Sequence, residues 1–165
     1  MLRTGITSTA RAVCVINRRM ASYQNTQHVE ITNTLHRVLF AMDSNDHELF
    51  ASSFTEDGVC EVKKSGLIVK GRSDLKNFCN TIHLKFKPAL HIESNVIVNI
   101  RSENNAARAT TKSYWYAILG GDIISTGFHH DELVPSSNDD GHETWKLQHR
   151  IIEHHWTKSG GFEEK

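Results

Sequence analysis

The chain of 165 residues is 38% hydrophobic and 23% charged, with 19 Lys and Arg against 19 Asp and Glu. That composition reads as one soluble globular domain with a single sizeable core. No apolar run approaches the ~20 residues of a membrane span, so no membrane partner is expected.

The charge balance is uneven along the chain. Residues 1–22, opening "MLRTGITSTARAVCVINRRM", carry Arg3, Arg11, Arg18 and Arg19 and no acid. Taking these four from the chain's 19 cations leaves 15 against 19 acids. A mildly acidic body without a basic patch excludes nucleic-acid binding as a main function. An Arg-rich, Ser/Thr-containing, acid-free start has the composition of a mitochondrial presequence. The alternatives are a disordered tail, or translation from Met20 and a cytoplasmic protein. Residues 1–22 are therefore expected to stay outside the fold. Cys14, Cys60 and Cys79 have no CxxC or zinc-ligand spacing. Buried free thiols and a reducing compartment are expected.

From His28 to Met42 the residues Ile31, Leu35, Val38, Leu39 and Met42 form one apolar stripe at helical spacing. Asn45 followed by Glu48 resembles a capping box opening a short second helix through Phe50 to Phe54. "GVCEVKK" and "LIVKG", joined across Ser65-Gly66, read as a β-hairpin. Ser73 and Asp74 then cap a third helix, "SDLKNFCNTIH". Beyond Pro88 the chain reads as strand: His91–Ile100, Ala106–Leu119, Ile123–Val134 and Thr144–Trp156, with turns at "GGD" and "PSSNDDGH".

Helix, helix, hairpin, helix and a long antiparallel meander make an α+β domain. A strongly curved sheet wrapped around the first helix would leave a conical hollow, and hollows of that kind hold ligands. Its other face would present aromatic and β-branched residues from three long strands, so a homodimer is expected.

The segments "MDSNDHELFASSFTEDG", "GRSDLKNF", "LHIESNVIVNI", "AARATTKSYWYAI" and "ETWKLQHRIIEHHW" cover most of the chain from Gln27 to Trp156. In that order they resemble the SnoaL-like branch of the nuclear transport factor 2-like superfamily. The resemblance implies a cone-shaped α+β barrel, three N-terminal helices on a strongly curved, mostly antiparallel sheet. It divides the chain into a targeting or disordered segment at 1–22, the domain at 23–158 and a flexible tail at 159–165. Relatives include scytalone dehydratase, steroid isomerase, bile-acid dehydratase and polyketide cyclases, but also carriers without catalysis, so the site needs its own argument.

Asp43 ends the first helix, where the negative end of the macrodipole disfavours a carboxylate. Either it belongs to a polar turn together with Asp46, or it lines the hollow as a general acid or base. In the resembled dehydratases an Asp of this segment lines the pocket and a His at the position of His91 faces it. A carboxylate holds an imidazole in one tautomer and suits it to proton abstraction. Some of these relatives also carry a pocket Arg at the position of Arg150; a guanidinium on the outer sheet face is the equal alternative. Tyr114 and Tyr116 alternate with Trp115, so one set faces the hollow. Scytalone dehydratase has a second catalytic His where this chain has Tyr116, and a Tyr where it has Met42. These departures point to a different substrate. Neighbours on a strand face opposite ways, so His129-His130 and His154-His155 each offer one inward imidazole, and no metal or other cofactor is expected.

The expected function is a cofactor-independent dehydratase or isomerase for a hydrophobic cyclic or polyketide-like molecule. Asp43 and His91 would be catalytic; Tyr114, Tyr116, His129 and Arg150 would bind substrate. A non-catalytic ligand-binding or assembly module is the alternative, marked by Asp43 and His91 lying too far apart to interact. A third reading, an epoxide hydrolase, lacks an evident Asp-Arg-Asp set. Residues 1–22 fused to a fluorescent reporter should carry it into mitochondria; a reporter left diffuse in the cytosol rules targeting out.

Overall fold

The computed structural model describes residues 8–86, 89–103, 106–137 and 140–158, with side chains from residue 24 on, residue 103 excepted. The expected break at Pro88 and the tail at 159–165 lie outside the described residues. Helix α1 spans Ser8–Ser44, so the helical backbone begins well before His28 and takes in most of the segment expected to stand apart. Its apolar stripe is buried as the spacing predicts: Ile31, Leu35 and Val38 are fully enclosed, Leu39 and Met42 nearly so. Among the described residues no helix is long and apolar enough to cross a membrane.

The end of α1 is set by Asn45, in the left-handed region at φ +57°. The Asp46 N–H returns to the Ala41 carbonyl and the Asn45 N–H to that of Met42, a Schellman closure with asparagine in the glycine position. Asp46 then caps α2 (His47–Ser52), its side chain accepting from the Leu49 N–H at 2.9 Å. The expected Asn45 cap is thus off by one residue, because Asn45 is already committed to stopping α1.

Strands β1 (Phe54–Val62) and β2 (Leu67–Lys70) form the expected antiparallel hairpin, turning at Gly66 with φ +70°. Helix α3 (Gly71–Phe86) starts ahead of Ser73, which lies within its first turn rather than capping it. Four long strands follow: β3 (Leu90–Glu103), β4 (Ala106–Leu119), β5 (Asp122–Ser137) and β6 (Glu143–Thr157). The sheet order is β2-β1-β6-β5-β4-β3, antiparallel throughout except that β1 lies parallel to β6. The result is an α+β fold with helices packed on an open, mixed six-stranded sheet.

One face of the sheet and the helices enclose the core. Phe50, Phe54, Leu75, Phe78 and Cys79 meet Ala109, Leu133, Trp145 and Leu147 there. Cys60 and Cys79 are free and buried, and burial pushes the Cys60 thiol up to about 12, which leaves it inert. A bulge between Ser94 and Ile97, with Asn95 at φ +53°, shifts the alternation of β3. His91 and Glu93 before it, and Val96, Val98 and Ile100 after it, therefore share the inner face. Gly127 permits a second close approach. A Cβ there would lie 1.8 Å from the Glu153 carbonyl oxygen and 2.8 Å from Trp115 Nε1, so only glycine fits.

Candidate active site

Asp43 and His91 meet. The Asp43 carboxylate accepts from the backbone N–H of His91 through Oδ2 at 2.8 Å, and Oδ1 lies 2.6 Å from His91 Nδ1. Both side chains are largely buried, about 15% exposed. Helix α1 delivers the acid on its last turn, and β3 delivers the imidazole at its second residue. The acid that the helix dipole disfavours is thereby held by two donors from another element. With Nδ1 engaged by the carboxylate, the neutral ring carries its free lone pair on Nε2, the arrangement a general base needs.

Two residues further along the same face of β3, Glu93 enters a second cluster that is entirely buried. Arg150 of β6 donates from Nε to Asp131 Oδ1 at 2.8 Å and from Nη2 to Asp131 Oδ2 at 2.9 Å. Thr111 donates to the same Oδ2 at 3.1 Å. Glu93 Oε1 accepts from Ser113 at 2.6 Å and from His129 Nδ1 at 2.8 Å, with Arg150 Nη2 at 3.5 Å. Trp115, opposite Glu93 in the β3–β4 register, is stacked on His129 at 5.8 Å and met edge-on by His154 at 5.0 Å. Its indole N–H donates across Gly127 to the Glu153 carbonyl at 3.2 Å.

Burial and charge set the protonation of this layer. Burial raises the Glu93 carboxyl, but Arg150 and His129 outweigh it and bring the group down to about 2. Burial lowers Arg150, yet Asp131 and Glu93 more than offset this and hold it above its ordinary value. Burial first, then Arg150, lowers His129 despite Glu93. The His129–Glu93 contact is accordingly a hydrogen bond from a neutral imidazole, not an ion pair. His154 is lowered by burial, with Lys64 and His129 adding to it.

The sequence-predicted residues divide between the two faces. His129 and Arg150 point inward, at 3% and 1% exposure, while His130 points out and pairs with Glu153. Tyr114 and Tyr116 are corrected as substrate contacts. Thr111, Ser113, Trp115 and Ala117 are the buried set on β4, so both tyrosines lie on the outer face, where Tyr114 packs edge-on against Phe128. The sequence reading missed Glu93, Asp131, Ser113 and Thr111, and left open whether Trp115 or the two tyrosines face inward. It also found no Asp-Arg-Asp set, whereas Asp131, Arg150 and Glu93 form a carboxylate–guanidinium–carboxylate set across three strands. Among the described residues, no three His, Cys, Asp or Glu side chains are grouped to hold a metal.

The fold is of a small α+β class with helices on an open sheet, and sequence comparison gives its family. The SnoaL-like domain profile matches residues 23–151, and the chain belongs to that family. It is 26% identical over 134 residues to terrestric acid biosynthesis cluster protein E of Penicillium crustosum, spanning 76% of this chain and 81% of that one. A Novosphingobium aromaticivorans structure provisionally called a scytalone dehydratase superposes with TM-score 0.68 at 20% identity, over 88% of this chain and 93% of the other. A Nostoc punctiforme protein with a cystatin-like fold gives 0.64 at 25% identity, over 77% and 90%. The structural likenesses establish the fold.

The protonation pattern fixes how stability should follow pH. His129 and His154 titrate below their ordinary 6.5 when folded, so the unfolded chain takes up protons first as pH falls through that value. Their contribution is complete above about 6.5 and declines below it. Glu93, ordinarily at 4.5 and here at about 2, adds stability above 4.5 that is lost between those values. Urea midpoints should fall from pH 7.5 to 5.5 and again below 4.5, with the second limb flatter in Glu93→Gln. A midpoint flat over the whole range contradicts the assignment.

Proposed function

We propose that the protein is a small cofactor-independent dehydratase or isomerase acting on a hydrophobic, cyclic or polyketide-like molecule. The observation that carries this reading is the 2.6 Å contact of His91 Nδ1 with Asp43, reinforced by the backbone bond to the same carboxylate. The similarity to a protein named for terrestric acid biosynthesis and the shared fold with a provisional scytalone dehydratase support the substrate and reaction class.

His91 Nε2 removes a proton α to a carbonyl, and the C–H electron pair becomes the enolate. In dehydration the enolate expels the β-hydroxyl, which takes the proton from the His91 imidazolium and leaves as water. In isomerisation the imidazolium returns the proton to a different carbon. Asp43 orients the ring and stabilises its cationic form. Both of its oxygens are engaged by His91, so it is not the donor to the leaving group.

A non-catalytic module was expected to keep Asp43 and His91 apart; their contact argues against it. Epoxide hydrolysis needs a carboxylate free to activate water. Both oxygens of Asp131 already accept from Arg150, and one from Thr111 as well, so Asp131 holds the arginine and only Glu93, through Oε2, retains an unpaired carboxylate oxygen in the set. The outer sheet face carries Ile92, Ile97, Tyr114 and Trp156, each 42–61% exposed, as the proposed homodimer contact. Sedimentation at micromolar concentration should show a dimer, and an 18.7 kDa species alone rules it out.

Turnover can be followed on the molecule that mass spectrometry finds retained by the purified protein. Asp43→Asn should lower kcat roughly 10²-fold with little change in binding, and His91→Ala by a similar factor. The double variant should be hardly slower than either single one, because the two residues act as a unit. Near-normal turnover in Asp43→Asn removes the mechanism. Unfolding of that variant would make Asp43 a structural residue of the helix end.

A further inference from the structure

The buried polar layer is nearly complete in its hydrogen bonding, and what is left over is specific. Asp131 is satisfied through both oxygens by Arg150 and Thr111. Glu93 Oε1 takes Ser113 and His129, with Arg150 Nη2 beside it. Two atoms have no partner among the described residues: Glu93 Oε2 and Arg150 Nη1. Both belong to side chains sealed from solvent, 0% and 2% exposed. Their side chains are in contact, with Arg150 Nη2 3.5 Å from the other oxygen of the same carboxylate. One is a pure acceptor and the other a pure donor. Leaving such groups unmatched in the interior is costly, so they mark a place where a further group belongs.

The chemistry of that group follows from what each class would leave unmet. A carboxylate or phosphate would satisfy Arg150 Nη1 but face Glu93 directly. It would also enter a layer in which one guanidinium already stands against two carboxylates, with His129 neutral. An ammonium would satisfy Glu93 Oε2, but it has no lone pair for Nη1 and repels the guanidinium. A hydroxyl meets both needs, accepting from Nη1 through its oxygen and donating its hydrogen to Oε2. We propose that Glu93 and Arg150 form a hydroxyl-recognition subsite on the inner face of the sheet, selecting neutral ring alcohols or phenols over anionic and cationic analogues.

This deepens the dehydratase reading by naming the functional group that sits at the deep end of the site. Glu93 lies two residues from His91 on one face of β3, about 7 Å along the strand, a separation of the order of a fused two-ring system's length. The substrate is then a carbonyl compound with a second oxygen, a ring hydroxyl, held away from the reacting carbon. Ser113 and His129 serve as positioning residues: they fix Glu93 Oε1 and so leave Oε2 as the acceptor.

The test is an equilibrium measurement that needs no turnover. Calorimetric titration of the full chain with 2-naphthol, 2-naphthoate and 2-naphthylmethylammonium compares three charges on one ring. Naphthol should bind about tenfold or more tighter than either ion, the scale set by one unsatisfied buried group. Glu93→Gln offers a donor where the carboxylate was, so the naphthoate gap should close by about tenfold. Ser113→Ala, a milder change, should weaken naphthol alone. Naphthoate binding as tightly as naphthol to the native chain overturns the proposal, and so does tighter binding of the ammonium. No binding of any probe overturns it as well. The naphthol preference should persist in His91→Ala, which removes the proposed base. Selectivity without turnover would refute only the dehydratase reading, and turnover without selectivity only the subsite.

Discussion

The Arg150 guanidinium, enclosed in the middle of the inner sheet face, is the constraint on which the rest is arranged. An ion this deep is tolerated only when opposite charges and hydrogen bonds surround it. Its partners come from different strands: Asp131 from β5 and Glu93 from β3. Thr111 and Ser113 of β4 in turn fix those two carboxylates. A one-residue slip of any of these strands would turn its polar group outward and leave the others buried and unpaired. The layer thus specifies register across four neighbouring strands, which a purely apolar face would do less strictly. Removing one member should be far more damaging than replacing the whole layer with hydrocarbon.

The second constraint ties a helix end to a strand start. Asn45 stops α1 with a left-handed residue, and that stop leaves Asp43 on the final turn. The carboxylate then spans to β3, taking the His91 backbone N–H and fixing the ring beside it. One acid therefore fixes both the placement of β3 relative to α1 and the orientation of an imidazole. In the proposed mechanism the link serves the chemistry as well as the fold, and the two roles separate only in a variant that keeps one of the bonds.

Much of the fold was legible in the sequence because it rests on local periodicity. The α1 stripe needs only helical spacing, and the limits of β4 were read without error, from Ala106 to Leu119. The boundaries that failed are those where one residue serves two elements. Asp46 both closes α1 and caps α2, and asparagine in a glycine role gives no strong signal. The Asp43–His91 contact was anticipated from family resemblance together with helix-end electrostatics. Glu93 and Asp131 could have been found by alternation alone. Glu93 shares the face of His91, and Asp131 lies between His129 and Leu133 on the buried set of β5. Their partners could not have been found that way, since pairing across strands depends on registers and bulges. The tyrosines failed for the same reason. Alternation separates Tyr114 and Tyr116 from Trp115 but does not say which set is inside.

The two clusters gain their meaning from their spacing. Strand alternation puts Glu93 on the face of His91, and Trp115, opposite Glu93 in the β3–β4 register, stacks on the His129 of the charged layer. An apolar floor of Ala109, Leu133 and Leu147 lies beyond that layer. The inner face is therefore graded: hydrocarbon at the base, fully compensated charge in the middle, and a carboxylate-held imidazole near the end of α1. The charges of the layer are paired with one another across β3, β5 and β6, while the His91 imidazole is paired with Asp43 at the end of α1. The two clusters therefore share a strand and a face without competing for partners, and each holds its own register contact in place.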